Sequence, residues 1–187
     1  QDGVPSIQQA IEEAIKKFCQ QEIIVHVAGR TDAGVHAFGQ VAHFDLEYER
    51  GITAYDLAKA INAHLRPQPI SILSALEVPE DFHARFSARN KLYRYRIINR
   101  PALLTFDQGL AWQYKKPLDV FAMHQAAQTI LGQHDFTTFR DSQCQSKSSV
   151  KTLKRLDVTA REYYGTGGIE IIIEAEGQSF LHHQVRN

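Results

Sequence analysis

The strongest constraint on the fold is a pair of β-prone runs, Leu153–Tyr163 and Ile169–Glu176, flanking "GTGG". Two such runs joined by a short glycine-rich connection predict an antiparallel hairpin. A lone hairpin is marginal in water, so other strands must complete a sheet around it. Leu92–Ile98, "LYRYRII", is the clearest further strand. Its period of two sets Tyr93, Tyr95 and Ile97 on one face and Arg94 and Arg96 on the other. Shorter strands are predicted at Ile23–Val27, over the alternating run Gln40–Glu47, and at Ile70–Val78.

Helices interrupt these strands. Ser6 with Gln9 resembles a capping box, and Ile7, Ile11, Ala14, Ile15 and Phe18 follow at helical spacing. Thr53 and Asp56 open a second helix carrying Leu57, Ile61 and Leu65, which Pro67 and Pro69 end. Asp119–Leu131 reads as a third, stopped by Gly132. The order implies an α+β fold rather than a doubly wound α/β one. A break near Asn99–Asp107, around Pro101, divides the chain into 1–100, with a glycine-rich loop at 28–37, and 101–187. Both ends read as cut, with flanking strands or helices missing. "SFLHHQVRN" reads as the start of a helix.

Composition excludes some classes. The 187 residues are 43% hydrophobic and 22% charged, as in ordinary globular domains. No apolar run reaches membrane-spanning length, and no signal-peptide pattern opens the chain. Two cysteines, Cys19 and Cys144, form no disulfide framework, which points to a reducing cytoplasm. The formal net charge is zero, which leaves local basic clusters free to bind nucleic acid.

Three stretches carry candidate chemistry. "AGRTDAGVHA", Ala28–Ala37, is neither a dinucleotide fingerprint nor a P-loop. A tight turn explains its glycines, with Gly29 and Gly34 at positive φ and Asp32 in an Asx-turn. It does not explain Arg30, Thr31 and Asp32 in a row, so a decorated turn and a functional loop both stay open. From His83 to Arg96 there are five Lys or Arg residues and no acid, interleaved with Phe86, Tyr93 and Tyr95. Guanidinium groups suit phosphates and aromatic faces suit unstacked bases, although charges also protect sheet edges. "RDSQCQSKSS", Arg140–Ser149, offers phosphate and ribose donors but is equally an ordinary polar loop. The nine histidines show no metal-ligand spacing. His182 and His183, adjacent on an expected helix, point apart, which argues against a metal site.

These stretches together resemble the tRNA pseudouridine synthase A family. The resemblance rests on "GRTDAGVHA" at Gly29–Ala37, "FHARFSA" at Phe82–Ala88, "KLYRYRI" at Lys91–Ile97, "DFTTFR" at Asp135–Arg140, "QCQSK" at Gln143–Lys147 and "FLHHQVRN" at Phe180–Asn187, all in order. It implies a pseudouridine synthase fold, two α+β halves around a mixed, mainly antiparallel central sheet with flanking helices. It implies an isomerase that converts uridine to pseudouridine in the tRNA anticodon stem-loop. Such an enzyme is a cytoplasmic homodimer with no cofactor, no metal and no membrane partner. By the same resemblance Asp32 is the catalytic aspartate, and Tyr93 contacts the target uracil. Arg30 helps flip the base, and Arg186 lies near the aspartate. Phe82, His83, Ala84, Arg85 and Phe86 form a base-flipping segment. Gln143, Cys144, Gln145, Ser146 and Lys147 form a tRNA-contacting loop, and Arg50 is a further RNA contact. An RNA-binding protein of the same fold without catalysis and a metal-dependent hydrolase are the competing readings.

Overall fold

A computed structural model describes residues 5–47 and 51–187, so Arg50 lies outside the described residues. The chain forms two compact units. One holds the chain through Thr31 together with Ala37–Ser87, and the other holds Asp32–His36 together with Ala88–Asn187.

The first unit is built on two helices. Ser6 caps α1 (Ile7–Cys19) by accepting the Gln9 N–H at 3.1 Å. Thr53 caps α2 (Ala54–Leu65) in the same way through Asp56. Ala14, Ile15, Ile61 and Leu65 close over Val25 to form the core. The strands are shorter than the sequence predicts. β1 (His26–Val27) and β2 (Ala42–His43) pair over only two residues each. The Val25 N–H donates to the Glu12 carboxylate at 2.9 Å instead of to a strand. Ile70–Val78 forms no strand. The Asn62 side chain donates to the Ile72 carbonyl at 2.8 Å and accepts its N–H at 2.7 Å, standing where a neighbouring strand would stand.

The second unit carries a five-stranded mixed sheet in the order β4-β3-β7-β6-β5. Its strands are β3 (Lys91–Asn99), β4 (Trp112–Tyr114), β5 (Gly132–Asp135), β6 (Val150–Glu162) and β7 (Ile169–Gly177). The expected hairpin is β6–β7, and the expected strand at 92–98 is β3, antiparallel to β7 along its whole length. Only β3–β4 is parallel. That pairing crosses the boundary expected near Pro101, so the division at 100/101 is corrected: strands on either side of it share one sheet. α3 (Val120–Gln128), capped by Asp119, is shorter than expected because Thr129 Oγ1 turns back onto the Ala126 carbonyl. Ile97, Val158 and Ile171 form a core under α3, and Phe136, Cys144, Leu153 and Leu181 form a second one.

The two faces of β3 behave differently. Tyr95 and Ile97 pack inward, as the alternation predicts. Arg94 and Arg96 are held by acids. Arg94 meets Glu174 at 2.7 Å, and Arg96 reaches Asp107 at 3.1 Å and Glu170 at 2.5 Å. Glu170 also accepts from Arg161, and Asp107 from the Tyr163 hydroxyl. These two arginines are therefore structural ion-pair members and not free phosphate ligands. The turn residues 182–186 replace the helix expected at the end of the chain, with His183 at φ 61°.

Candidate active site

Asp32 lies on a four-residue turn. The Val35 N–H donates to the Asp32 carbonyl at 3.1 Å, and Gly34 takes φ +80°. A type II turn needs that φ at its third position, where a side chain would be strained. The expected local role of the neighbouring groups needs correcting. Gly29 is not at positive φ; its carbonyl accepts from Gln40 Nε2 at 2.7 Å.

The Asp32 carboxylate faces two imidazoles. His182 Nε2 lies 3.2 Å from Oδ1, and His183 Nε2 lies 3.1 Å from Oδ2. The other ring nitrogens face Asp141: His183 Nδ1 at 2.9 Å and His182 Nδ1 at 3.5 Å. The two rings lie with centroids 3.9 Å apart. The expectation that these histidines point apart fails because the backbone turns at His183 instead of continuing a helix. Asp141 is anchored on its own loop, where the Gln143 N–H donates to it at 2.8 Å. That N–H, followed by His183, holds the Asp141 carboxyl below its usual range. The Asp141 N–H also donates to the His182 carbonyl. Two imidazoles thus span two carboxylates, and the Asp32 side chain keeps 30% exposure, enough for a substrate atom to reach it.

Tyr93 sits edge-on to Phe180, with ring centroids 4.9 Å apart. Burial raises its hydroxyl above the usual phenol range, and the Asp32 charge adds to the rise. Tyr93 and Asp32 therefore share one electrostatic environment.

The other expected residues are distributed unevenly. Arg186, expected beside Asp32, makes no ion pair with it; its N–H donates to the His183 carbonyl within the final turn. Arg30 is exposed and belongs to the first unit. In the segment 82–86, Arg85 and Phe86 are exposed, Phe82 and His83 are half-buried, and Ala84 is buried. In the loop 143–147, Gln143, Gln145 and Lys147 are exposed. Cys144 is buried in the Phe136–Leu181 core, with its Sγ accepting the His182 N–H at 3.3 Å, so it supports the histidine pair and offers RNA no side chain. Arg140 shapes the same loop by donating to the carbonyls of Cys144 and Ser146.

Asp32, His182 and His183 are also the one described group whose ligand atoms lie within 4.8 Å of one another, a set able to hold a cation. Among the described residues, shallow concavities lie beside Arg161–Gly165 and beside Lys59–Ser71.

A sequence profile described as tRNA pseudouridine synthase matches residues 1–87 and 126–187. The chain belongs to the tRNA pseudouridine synthase family. It is 53% identical over all its 187 residues to tRNA pseudouridine synthase A of Rhodospirillum rubrum, of which it spans 64%. It is 53% identical over 182 residues, 97% of the chain, to the protein of that name from Parvibaculum lavamentivorans, covering 71% of it. The Erythrobacter litoralis relative is 51% identical over 98% of the chain, with 71% of its own length covered. The family consists of isomerases that turn uridine into pseudouridine in tRNA, and the mixed sheet with helices fits its fold. Among the described residues no helix is long and apolar enough to cross a membrane.

His182, His183 and Asp141 are the site residues that sequence reasoning missed. The doublet itself was a signal, obscured by the assumption of a helix. Asp141 carried none.

Proposed function

We propose that this chain isomerises uridine to pseudouridine in the tRNA anticodon stem-loop, with Asp32 as the reacting carboxylate. The observation that carries the reading is the placement of Asp32: a water-accessible carboxylate on the "GRTDAGVHA" turn, held by two imidazoles. The reaction breaks the bond from ribose C1′ to uracil N1 and forms one from C1′ to C5. The C5 proton leaves, and N1 gains one. Atoms balance with no oxidant, reductant or added group, so carboxylate chemistry suffices. Asp32 acts as nucleophile at base or sugar, or removes a sugar proton, and all three routes require an anion.

The two imidazoles face both oxygens of Asp32 and fix the direction of its carboxylate. Tyr93 offers a ring face to the extruded uracil. Arg30 and the segment 82–86 assist in taking the base out of the stack. Arg186 completes the substrate-binding set. We read the enzyme as a cytoplasmic homodimer without metal or cofactor. The exposed Leu103, Phe106, Leu110 and Trp112 around edge strand β4 suit contact with a second copy.

The test is direct. Full-length protein incubated with unmodified tRNA should yield carbodiimide-dependent primer-extension stops in the anticodon stem-loop. A complete lack of stops, with tRNA bound, overturns the reading.

Substrate binding yields a second expectation. Arg85 and Arg89 are exposed, whereas Arg94 and Arg96 are held by acids. Replacing Arg85 and Arg89 with alanine should weaken tRNA binding and lower the slope of log K against log salt by roughly one to two units. Equal slopes for variant and wild type count against a phosphate role.

A further inference from the structure

The turn at 82–86 is held by backbone and side-chain hydrogen bonds that lie mostly within 79–87. The Phe82 N–H donates to the Pro79 carbonyl, and the N–H groups of Phe86 and Ser87 donate to the His83 carbonyl. The His83 N–H donates to Ser87 Oγ, and the Arg85 N–H to His83 Nδ1. Among the described residues one bond of this turn reaches beyond 79–87: the Ala84 N–H donates to His43 Nδ1 at 3.2 Å. Ala84 is only 2% exposed, so losing this acceptor would strand its N–H away from water.

His43 is itself fixed by rings. It stacks on His26 with centroids 5.0 Å apart and an interplanar angle of 25°. It meets His83 at 4.7 Å and the edge of Phe82 at 5.9 Å. His83 in turn lies 4.4 Å from Phe86. The far end of this stack is open: Phe86 is 78% exposed, with the Arg85 guanidinium 6.0 Å from its ring centroid. A bare aromatic ring beside a cation, on a turn with satisfied backbone, is suited to enter a base stack and hold the adjoining phosphate.

We propose that His43 is a positioning residue for base extraction: its Nδ1 sets the 82–86 turn so that Phe86 and Arg85 meet the stack beside the target uridine. This deepens the proposed function and rests on it. His43 acts through the turn and touches no reacting atom. Its effect therefore belongs to the extraction step and not to bond exchange.

That distinction supplies the test. Single-turnover rates are measured for the full-length enzyme on two tRNAs, one with the target uridine paired and one with its partner replaced so that it is unpaired. Extraction is easier from the second. His43→Ala should slow reaction on the paired substrate on the order of 10–100-fold, as small misplacements do. The loss should fall to within about threefold on the unpaired one, with tRNA affinity nearly unchanged on both. His43→Asn, whose Oδ1 keeps an acceptor near the Nδ1 position, should recover most of the rate. An equal loss on both substrates, or Asn no better than Ala, overturns the proposal. Asp32→Asn run alongside should be inactive on both substrates. Activity there would overturn the assignment of Asp32 while leaving the His43 comparison to be read by itself.

Discussion

Asp32→Asn in the full-length enzyme should lower pseudouridine formation by at least roughly 10⁴-fold, the scale seen when a reacting group is removed. The affinity for tRNA should change by less than about threefold. Asparagine has nearly the same shape, so the turn closed by Gly34 remains intact. What it lacks is a negative charge and a nucleophilic oxygen. It still presents a carbonyl to one imidazole, but its amide opposes any N–H donor on the other. Binding survives because the exposed cations, Arg85, Arg89 and Lys147, lie outside this turn. Single-turnover product mapping with a parallel filter-binding curve separates the two quantities. Product formed by Asp32→Asn at more than a few per cent of the wild-type rate would sink the assignment.

Glu170→Ala should destabilise the β-sheet unit by about 3–5 kcal/mol, the range for breaking a buried ion pair from one side. Glu170 is 2% exposed and accepts from both Arg96 and Arg161. Its loss leaves Arg96 half-compensated, with Asp107 alone opposite it. Arg161→Ala is the control. Its side chain is 64% exposed, so water replaces the partner and the cost should stay below about 1 kcal/mol. Urea unfolding of the two variants provides the comparison, and equal costs would remove the case for a buried network.

The same network sets an acid limit. The Arg96 guanidinium, followed by the Tyr163 hydroxyl, holds the Asp107 carboxyl below its ordinary range against burial. Burial pushes Glu170 up, but Arg161 and Arg96 outweigh it and leave it lowered. Both groups bind protons less readily folded than unfolded, so their stabilisation is complete above the usual carboxylate range, about 4. It is lost as pH falls through that range toward the folded values. Glu170→Ala should therefore flatten the acid limb of the stability curve as well as lower it.

Periodicity found the elements whose partners are strands of similar length. Tyr95 and Ile97 pack inward on β3, and β6 and β7 pair across the glycine-rich turn, as alternation requires. It overcalled Ile70–Val78, where apolar spacing suits a strand but Asn62 takes the Ile72 hydrogen bonds. No local pattern marks such a long-range side-chain bond. β4 and β5 were missed because segments of three or four residues carry too little period to read.

The candidate site was legible at Asp32 and Tyr93 and not among the groups that face Asp32. Asp32 and Tyr93 stand out within motifs, and they share an environment in the folded unit. Arg186 was expected near Asp32, and the groups that face its carboxylate are His182 and His183. The difference follows from one backbone choice, a turn at His183 in place of a helix, which no residue type in "FLHHQVRN" dictates. Arg94 and Arg96 looked like RNA ligands because the acids that hold them lie on β7 and on the loop after β3.

The chain passes from one compact unit into the other for only five residues, Asp32–His36, and then returns. The imidazoles that face Asp32 lie at 182 and 183, so about 150 residues separate the carboxylate from the last group that orients it. During ribosomal synthesis that interval is roughly 8–30 s. Throughout it neither imidazole is present to face Asp32. A ribosome is surrounded by tRNA, the substrate class of this family. Dividing the proposed reacting carboxylate from the imidazoles that face it along the chain delays assembly of that cluster until His182 and His183 have been made.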